Sequence, residues 1–463
     1  MSRVRHNRPG LRRPVLRALI RWSFRAILAL LVIASIAFVV VFRGALHNRF
    51  VRFPAEASAW QALHAQRLDV ALDHGYTDFL GVCHSHSHIS HDSQVPFEEI
   101  LRVLKETGRD FILMSDHCVD GKADYSLQWE GLREGVLFVP GYEMSGGFMP
   151  WGLPRDTVLQ CSEEPHALAA RIADLGGLLF FAHCEEERLW DLPQLVGMEI
   201  YNIHTDFKDE EGYGALLPDI VLSIRKYPDH VMRLIFDRQT AILEHWDRLN
   251  RDRDIVGIAA NDCHQNNGVV AYYTERDTLL LEDTSPDTIG EYTLNWWKRL
   301  GLRLLFGPLE PGRELFRFEL DPYERMVRYV STHILAHELS QEAILDSLRE
   351  GRVFVAFDVL ADSTGFAYLA ESGSGRAVMG ERLPLGPDLR LRCGSPVPCR
   401  FTVVHDGTVV YQSEGRELDW PVNQPGKYRI EAEVLIRDSW TPWVYTNPIE
   451  IVADAAAPVR LPE

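Results

Sequence analysis

Between residues 79 and 264 short apolar runs recur, and each ends on polar side chains capable of chemistry. FLGV (79–82) runs into His84 and His86, and FILM (111–114) into Ser115, Asp116 and His117. VLFV (136–139) is followed by a Pro-Gly turn and Glu143, and LLFFA (178–182) by His183. MEIY (198–201) leads to Asn202 and His204, and IVGIAA (255–260) to Asn261, Asp262 and His264. Stretches of helical character separate them at 97–106, 165–175, 217–226 and 237–250. Strand–helix alternation predicts parallel strands in an α/β fold. In a β/α barrel functional side chains collect at the C-terminal ends of strands, where every candidate here falls.

The densest stretch is VCHSHSHISHDS (82–93), with His84, His86, His88, His91 and Asp92. Alternation along a strand lets His84 and His86 point the same way. Paired imidazoles with a carboxylate beyond them suit a borderline divalent metal. A solvated histidine-rich loop is the plainer alternative, and the later residues decide against it. In chain order the strand-end candidates are His84, His86, Asp92, His117, Glu143, His183, His204, Asp262 and His264. That set exceeds what one four-coordinate ion needs, so two or three divalent ions are expected, with zinc, manganese or iron favoured by the mix of imidazole and carboxylate. Alone, His183 or His204 reads as a core histidine, Glu143 as an ion-pair partner and Asp262 as a helix cap. Together, at matching strand ends, they read as a metal site.

The formal net charge of -18 argues against a nucleic-acid surface. The first 25 residues run the other way, with eight arginines from Arg3 to Arg25 and no acid. Residues 26–42 then carry no charge and no proline, at the short end of what spans a bilayer. This predicts a basic cytoplasmic tail (1–25) and a transmembrane helix (26–42), with everything after Arg43 outside the cytoplasm, periplasmic or extracellular. A retained anchor is favoured over a cleaved signal peptide, because the small residues Ser35 and Ala37 lie inside the apolar run.

Residues 43–78 read as a stalk and an amphipathic helix through Trp60, Leu63, Leu68 and Leu72. Residues 79–351 form the expected metallohydrolase domain; within it, Trp296-Trp297 and the following apolar run predict a further packed helix and strand. From 352 to 455 short β-forming runs, with Asp406-Gly407 as a hairpin turn, predict an immunoglobulin-like β-sandwich, and 456–463 a tail. Of seven cysteines, Cys83, Cys118, Cys184 and Cys263 adjoin candidate ligands and read as wall residues more than ligands. Cys161 has no evident role, and Cys393 and Cys399 are expected to form a disulfide outside the cytoplasm.

The motif order resembles the PHP (polymerase and histidinol phosphatase) superfamily over residues 79–265. The resemblance rests on His84-Ser85-His86 with Ser90 and Asp92, on Asp116-His117, on Glu143 in PGYE, on Ala182-His183, on GMEIYN and on Asp262-Cys263-His264. Many members carry the acid one residue earlier, where this chain has His91; Asp92 is preferred as ligand. The resemblance implies a distorted seven-stranded β/α barrel, here preceded by one transmembrane helix and followed by a β-sandwich. It also implies that Glu143 bridges two ions, with His84, His86 and Asp262 completing one site. Asp92, His117 and His264 would serve a second, His183 and His204 a third, and Asp116 would orient a water or a neighbouring ligand.

The function expected is a metal-dependent phosphoesterase, with Glu143, Asp262 and Asp116 as catalytic residues and a small or phosphorylated molecule as substrate. A divalent ion lowers the pKa of a water to about 7 and polarises phosphoryl oxygens. Hydrolysis of a carbamate, carboxyl ester or amide on the same site is the alternative, and a metal-stabilised binding ectodomain a third reading. No phosphate-cradling motif is present; Lys122, Arg155, Arg188 and Lys208 are the cationic candidates in strand-end loops. Nothing in the sequence speaks to oligomeric state.

Overall fold

The computed structural model describes residues 13–209, 213–285 and 287–453. Arg3, Arg5, Arg8 and Arg12 and the tail 456–463 lie outside the described residues. The chain divides into two compact units, Met1–Ser58 with Glu211–Leu234, and Ala59–Glu210 with Ile235–Glu463.

In the first unit one helix runs over Arg13–Val41, and its portion Arg17–Val41 is long and apolar enough to cross a membrane. The helix starts earlier than the uncharged run and carries Arg17, Arg21 and Arg25, spaced by four, on one face. The same unit buries Glu56, whose carboxylate meets Arg52 at 2.7 Å and His230 at 3.6 Å. Burial raises that carboxyl, but these partners outweigh it and hold it at about 2.

The second unit is mixed α/β. Thr77–Cys83 pairs in parallel with Phe111–Leu113, which pairs in parallel with Val136–Val139. A second parallel set joins Leu178–Phe181, Leu195–Asn202 and Val256–Ala260. Val136–Val139, Leu178–Phe181 and Val256–Ala260 are buried throughout, as strands covered on both faces must be. One hydrophobic core takes side chains from both sets, including Phe111, Leu137, Phe180 and Ile258. Gly81 and Gly197 are needed at this packing. A Cβ on either would sit 2.2 or 2.1 Å from the rings of Phe111 and Phe180 on the neighbouring strands.

The helices Phe97–Thr107, Pro165–Asp174 and Thr240–Asn250 fall where the apolar periodicity places them. Glu164 caps the second by accepting the backbone N–H groups of His166 and Ala167. Gly108 closes the first at φ 68°, a left-handed stop that glycine allows. The helix expected within 43–78 covers Phe53–His64 only, and Leu68 lies exposed beyond its end.

The region around Trp296 departs from expectation. It forms an antiparallel sheet of Gly268–Tyr273, Thr278–Glu282, Thr288–Thr293 and Glu314–Glu319, and one helix, Trp296–Phe306. That helix buries none of its residues, and Trp296 is 72% exposed. Apolar composition predicted packing here, but it states only that a face needs cover, not what covers it.

In the C-terminal third, Val353–Ala356 pairs with Ser331–Ala336 on one side and Ser439–Thr446 on the other. Ser331–Ala336 in turn pairs with Thr77–Cys83, so the expected boundary after Gly351 falls between hydrogen-bonded strands of one sheet. The runs at 389–393 and 401–404 belong to a single strand, Arg390–His405, which turns through Asp406-Gly407 into Thr408–Pro421. Both turn residues have positive φ, 48° and 80°, as a two-residue hairpin requires.

The cysteine expectation is corrected. Cys393 and Cys399 are buried free thiols, whereas Cys118 and Cys161 form a disulfide across 43 residues of sequence. Cys393 and Cys399 sit on one strand opposite Leu418 and Gly415 of its neighbour. Partners three residues apart correspond to roughly 10 Å along a strand, beyond the ~7 Å Cα reach of a disulfide.

Candidate metal centre

Three backbone contacts hold the two parallel sets together at their C-terminal ends. Asn261 N–H donates to Cys83 O at 3.1 Å, Asp262 N–H to His84 O at 2.8 Å, and His86 N–H to Cys263 O at 2.9 Å. His84, His183 and Asp262 all adopt left-handed backbone conformations, with φ of 59°, 48° and 49°. Non-glycine residues hold such values only where the surroundings over-determine them. Here each strand turns sharply after its last apolar residue, and the turned side chain faces the others.

Three groups of ligand atoms result, each within 4.8 Å: His86, Asp92, His117 and His264; His84, His183 and Asp262; His84, His86 and Glu143. Eight of the nine candidates are thereby brought together. His204 stands beside them, its Nδ1 3.0 Å from Asp262 Oδ2. Asp92 is in the cluster, 3.3 Å from His117 Nε2 and 3.2 Å from His264 Nε2, while His91 is exposed.

The carboxylates of Glu143 and Asp262 each face two ways. Glu143 Oε1 lies 3.3 Å from His183 Nε2, and Oε2 lies 3.3 Å from His84 Nε2 and 3.5 Å from His117 Nδ1. Asp262 Oδ1 lies 3.2 Å from both His84 Nε2 and His264 Nδ1, and Oδ2 lies 3.6 Å from His183 Nε2. Burial would raise both carboxyls, but the imidazoles around them, His84 foremost, hold them well below the usual carboxylate range. Among these imidazoles the response differs. Burial and the neighbouring His264 push His86 well down, whereas His84 is raised by Asp262, Glu199 and Glu143 against the opposing effect of burial.

The arrangement fits divalent cations on one direct observation. His84 Nε2, His86 Nε2, His264 Nε2, Asp92 Oδ1 and Asp262 Oδ1 are buried without a hydrogen-bonding partner in the protein. The nearest opposite charges lie close to them without the alignment of a hydrogen bond. Buried polar atoms are rarely left so, and the five residues that carry them belong to the three ligand groups. The opposite ring nitrogens are engaged: His84 Nδ1 meets Glu199 Oε1 at 2.5 Å, and His86 Nδ1 meets Ser90 Oγ at 3.0 Å. Such bonds orient an imidazole so that its free nitrogen faces a metal.

Glu199 lies in the GMEIYN stretch that carries the family resemblance, but is not among the candidate site residues. It is 2% exposed, and its second oxygen accepts the backbone N–H of His183 at 2.8 Å. The available signal was an acid between Met198 and Ile200 in an otherwise apolar strand. Asp116 does not face the cluster. It accepts Ser87 N–H at 2.6 Å, Gln128 Nε2 at 2.7 Å and the hydroxyls of Ser87 and Ser90 at 3.0 and 3.1 Å. Its reach to a ligand runs through Ser90, which also meets His86. Of the cationic candidates, Arg188 is tied to Ala182 O at 2.9 Å and Arg155 lies 3.5 Å from Glu130. Lys122 is exposed, and the side chain of Lys208 lies outside the described residues.

Fold and site define a mixed α/β protein with a candidate divalent-metal centre built from histidines and carboxylates at strand ends. No protein-family model matches the chain, and no curated protein matches it. Among solved structures, it is similar to a two-domain protein from Bacteroides vulgatus ATCC 8482 containing a predicted PHP-like metal-dependent phosphoesterase. Identity is 12%, the match covers 82% of this chain and 98% of that one, and the TM-score is 0.36.

Proposed function

We propose that this chain is a metal-dependent hydrolase acting on phosphoesters, its catalytic domain a distorted β/α barrel backed by a β-sandwich. The observation that carries the reading is that five residues of the clustered ligand groups each hold a buried polar atom without a partner. Bound ions would supply an activated water and polarise the oxygens of the scissile group. Glu143 and Asp262 would each hold two cations near one another, since their paired oxygens face different histidines. His183 and His204 would complete the side of the site nearest Asp262 Oδ2. Glu199, Ser90 and, through Ser90, Asp116 would position His84 and His86.

The same reading places the catalytic domain outside the cytoplasm, behind a retained N-terminal anchor. Its supports are the apolar helix Arg17–Val41 and the Cys118–Cys161 disulfide, since disulfides persist in oxidising compartments. The test is a parallel assay of the full chain, loaded in turn with zinc, manganese and iron, on aryl phosphates, phosphodiesters and aryl carbamates. Turnover of the phosphate compounds with metal content of two or three ions is expected. Turnover confined to carbamates would replace the phosphoesterase reading with attack at carbon. Full metal content without turnover of any of the three classes would sink hydrolysis altogether.

A further inference from the structure

The geometry points to a second membrane contact: the helix Trp296–Phe306 lies in the headgroup region of an anionic lipid bilayer. Its sequence is WWKRLGLRLLF. Trp296 is 72% exposed, Leu304 78% and Leu305 77%, a degree unusual for three such residues on one short helix. At about 100° per residue, Trp296, Trp297, Leu300, Leu304 and Leu305 occupy one half of the helix surface. Leu302 and Phe306, half-buried, lie on the other half, where Arg299 pairs with Asp277 at 2.8 Å. The helix therefore rests on its small sheet by one side and turns its larger apolar side outward.

The charges favour lipid over protein as the cover. Lys298 and Arg303 are exposed and flank the apolar half, one on each edge. From Leu294 to Leu309 there is no acid, in a chain whose formal net charge is -18. An apolar face bordered by cations, with indoles at one end, is the composition of helices that lie in a bilayer interface. A second copy of this chain docking symmetrically through the same face would bring these cations against their own copies. Anionic headgroups meet them with opposite charge, at about fivefold in affinity for each cation near the surface. The apolar span Arg17–Val41 in the same chain supplies a reason for a bilayer to be at hand. The strand that leads into the helix adds exposed Ile289 and Tyr292 to the same stretch of chain.

The test uses the full chain reconstituted in nanodiscs whose lipids carry brominated acyl chains, with and without phosphatidylglycerol. Bromine quenches tryptophan that enters the bilayer. Trp296→Phe/Trp297→Phe keeps the apolar face and removes its two indoles, so the difference from wild type isolates them from Trp22 and the rest. Quenching of that difference signal is expected, strongest with phosphatidylglycerol, and its loss is expected in Lys298→Glu/Arg303→Glu. Unchanged metal content and circular dichroism would show that both variants fold. A difference signal untouched by brominated lipid in either nanodisc would overturn the inference, as would protection of the helix by pairing of two chains in one disc.

Discussion

Two histidine–carboxylate clusters are buried in the second unit, and they differ in how their ring nitrogens are used. His333 is fully buried with Nδ1 2.8 Å from Asp78, and Nε2 3.1 Å from Asp358 and 3.0 Å from Ser363. Every polar atom of that imidazole has a partner. In the strand-end cluster each of His84 and His86 has one nitrogen engaged and the other aimed at the group without a partner. Residue types are the same in both places. A closed cluster is satisfied by its own ion pairs, and an open one leaves nitrogens that could hold cations.

The largest expected effect separates the two at once. Glu143→Gln keeps the side-chain shape but removes the charge that faces His183 with one oxygen and His84 with the other. Metal analysis should find at least one ion lost, and turnover should fall by more than the roughly 100-fold typical of outer-sphere changes. Fold, by circular dichroism, should be retained. Full occupancy with near-normal hydrolysis would make Glu143 merely structural and close the distinction between the clusters.

The converse variant is Asp358→Asn. It leaves Asp78 as the one carboxylate on His333 in a fully buried site, and breaking a buried pair by removing one partner costs about 3–5 kcal/mol. A lower urea midpoint with unchanged metal content is the expected result. Loss of metal without loss of stability would show that the closed cluster, too, serves cations.

A smaller effect is expected at Glu199, which belongs to the open cluster but faces away from its centre. Glu199→Gln should weaken metal affinity about 10–100-fold by loosening His84, measured by competition with a chelator. Affinity unchanged within error would show that the sharp backbone turn alone orients His84.

The smallest is a pH dependence. Burial acts to lower the pKa of His333, but Asp78 and Asp358 overcome it and raise the group to about 10. An unfolded histidine titrates near ~6.5. Folded above unfolded means that the stabilisation is complete below about pH 6.5 and is lost as pH rises toward 10. Urea midpoints should therefore decline across that window in wild type. In Asp358→Asn the decline should begin at the same pH but end at a lower one, because one of the two charges that raise the folded group is gone. Identical profiles would show that Asp358 does not set the titration.

Much of this comparison was open to the sequence on one side only. The chemically capable residues at strand ends could be read from the apolar runs they terminate, because strand length and side-chain alternation are local properties. The hairpin at Asp406-Gly407 was legible for the same reason: two adjacent residues carry the whole conformational requirement. His333 was invisible as a cluster. Its partners Asp78 and Asp358 lie 255 and 25 residues away, and neither stands in a motif.

The amino-acid sequence by itself determined where candidate ligands are available, where strands and helices alternate, and which N-terminal segment is apolar enough to span a membrane. Tertiary structure decided which atoms are satisfied. It paired Cys118 with Cys161 instead of Cys393 with Cys399, gave Glu199 to His84, and left Trp296 uncovered. Local preference acts through neighbouring residues, whereas pairing and burial depend on segments that meet only after the chain has folded.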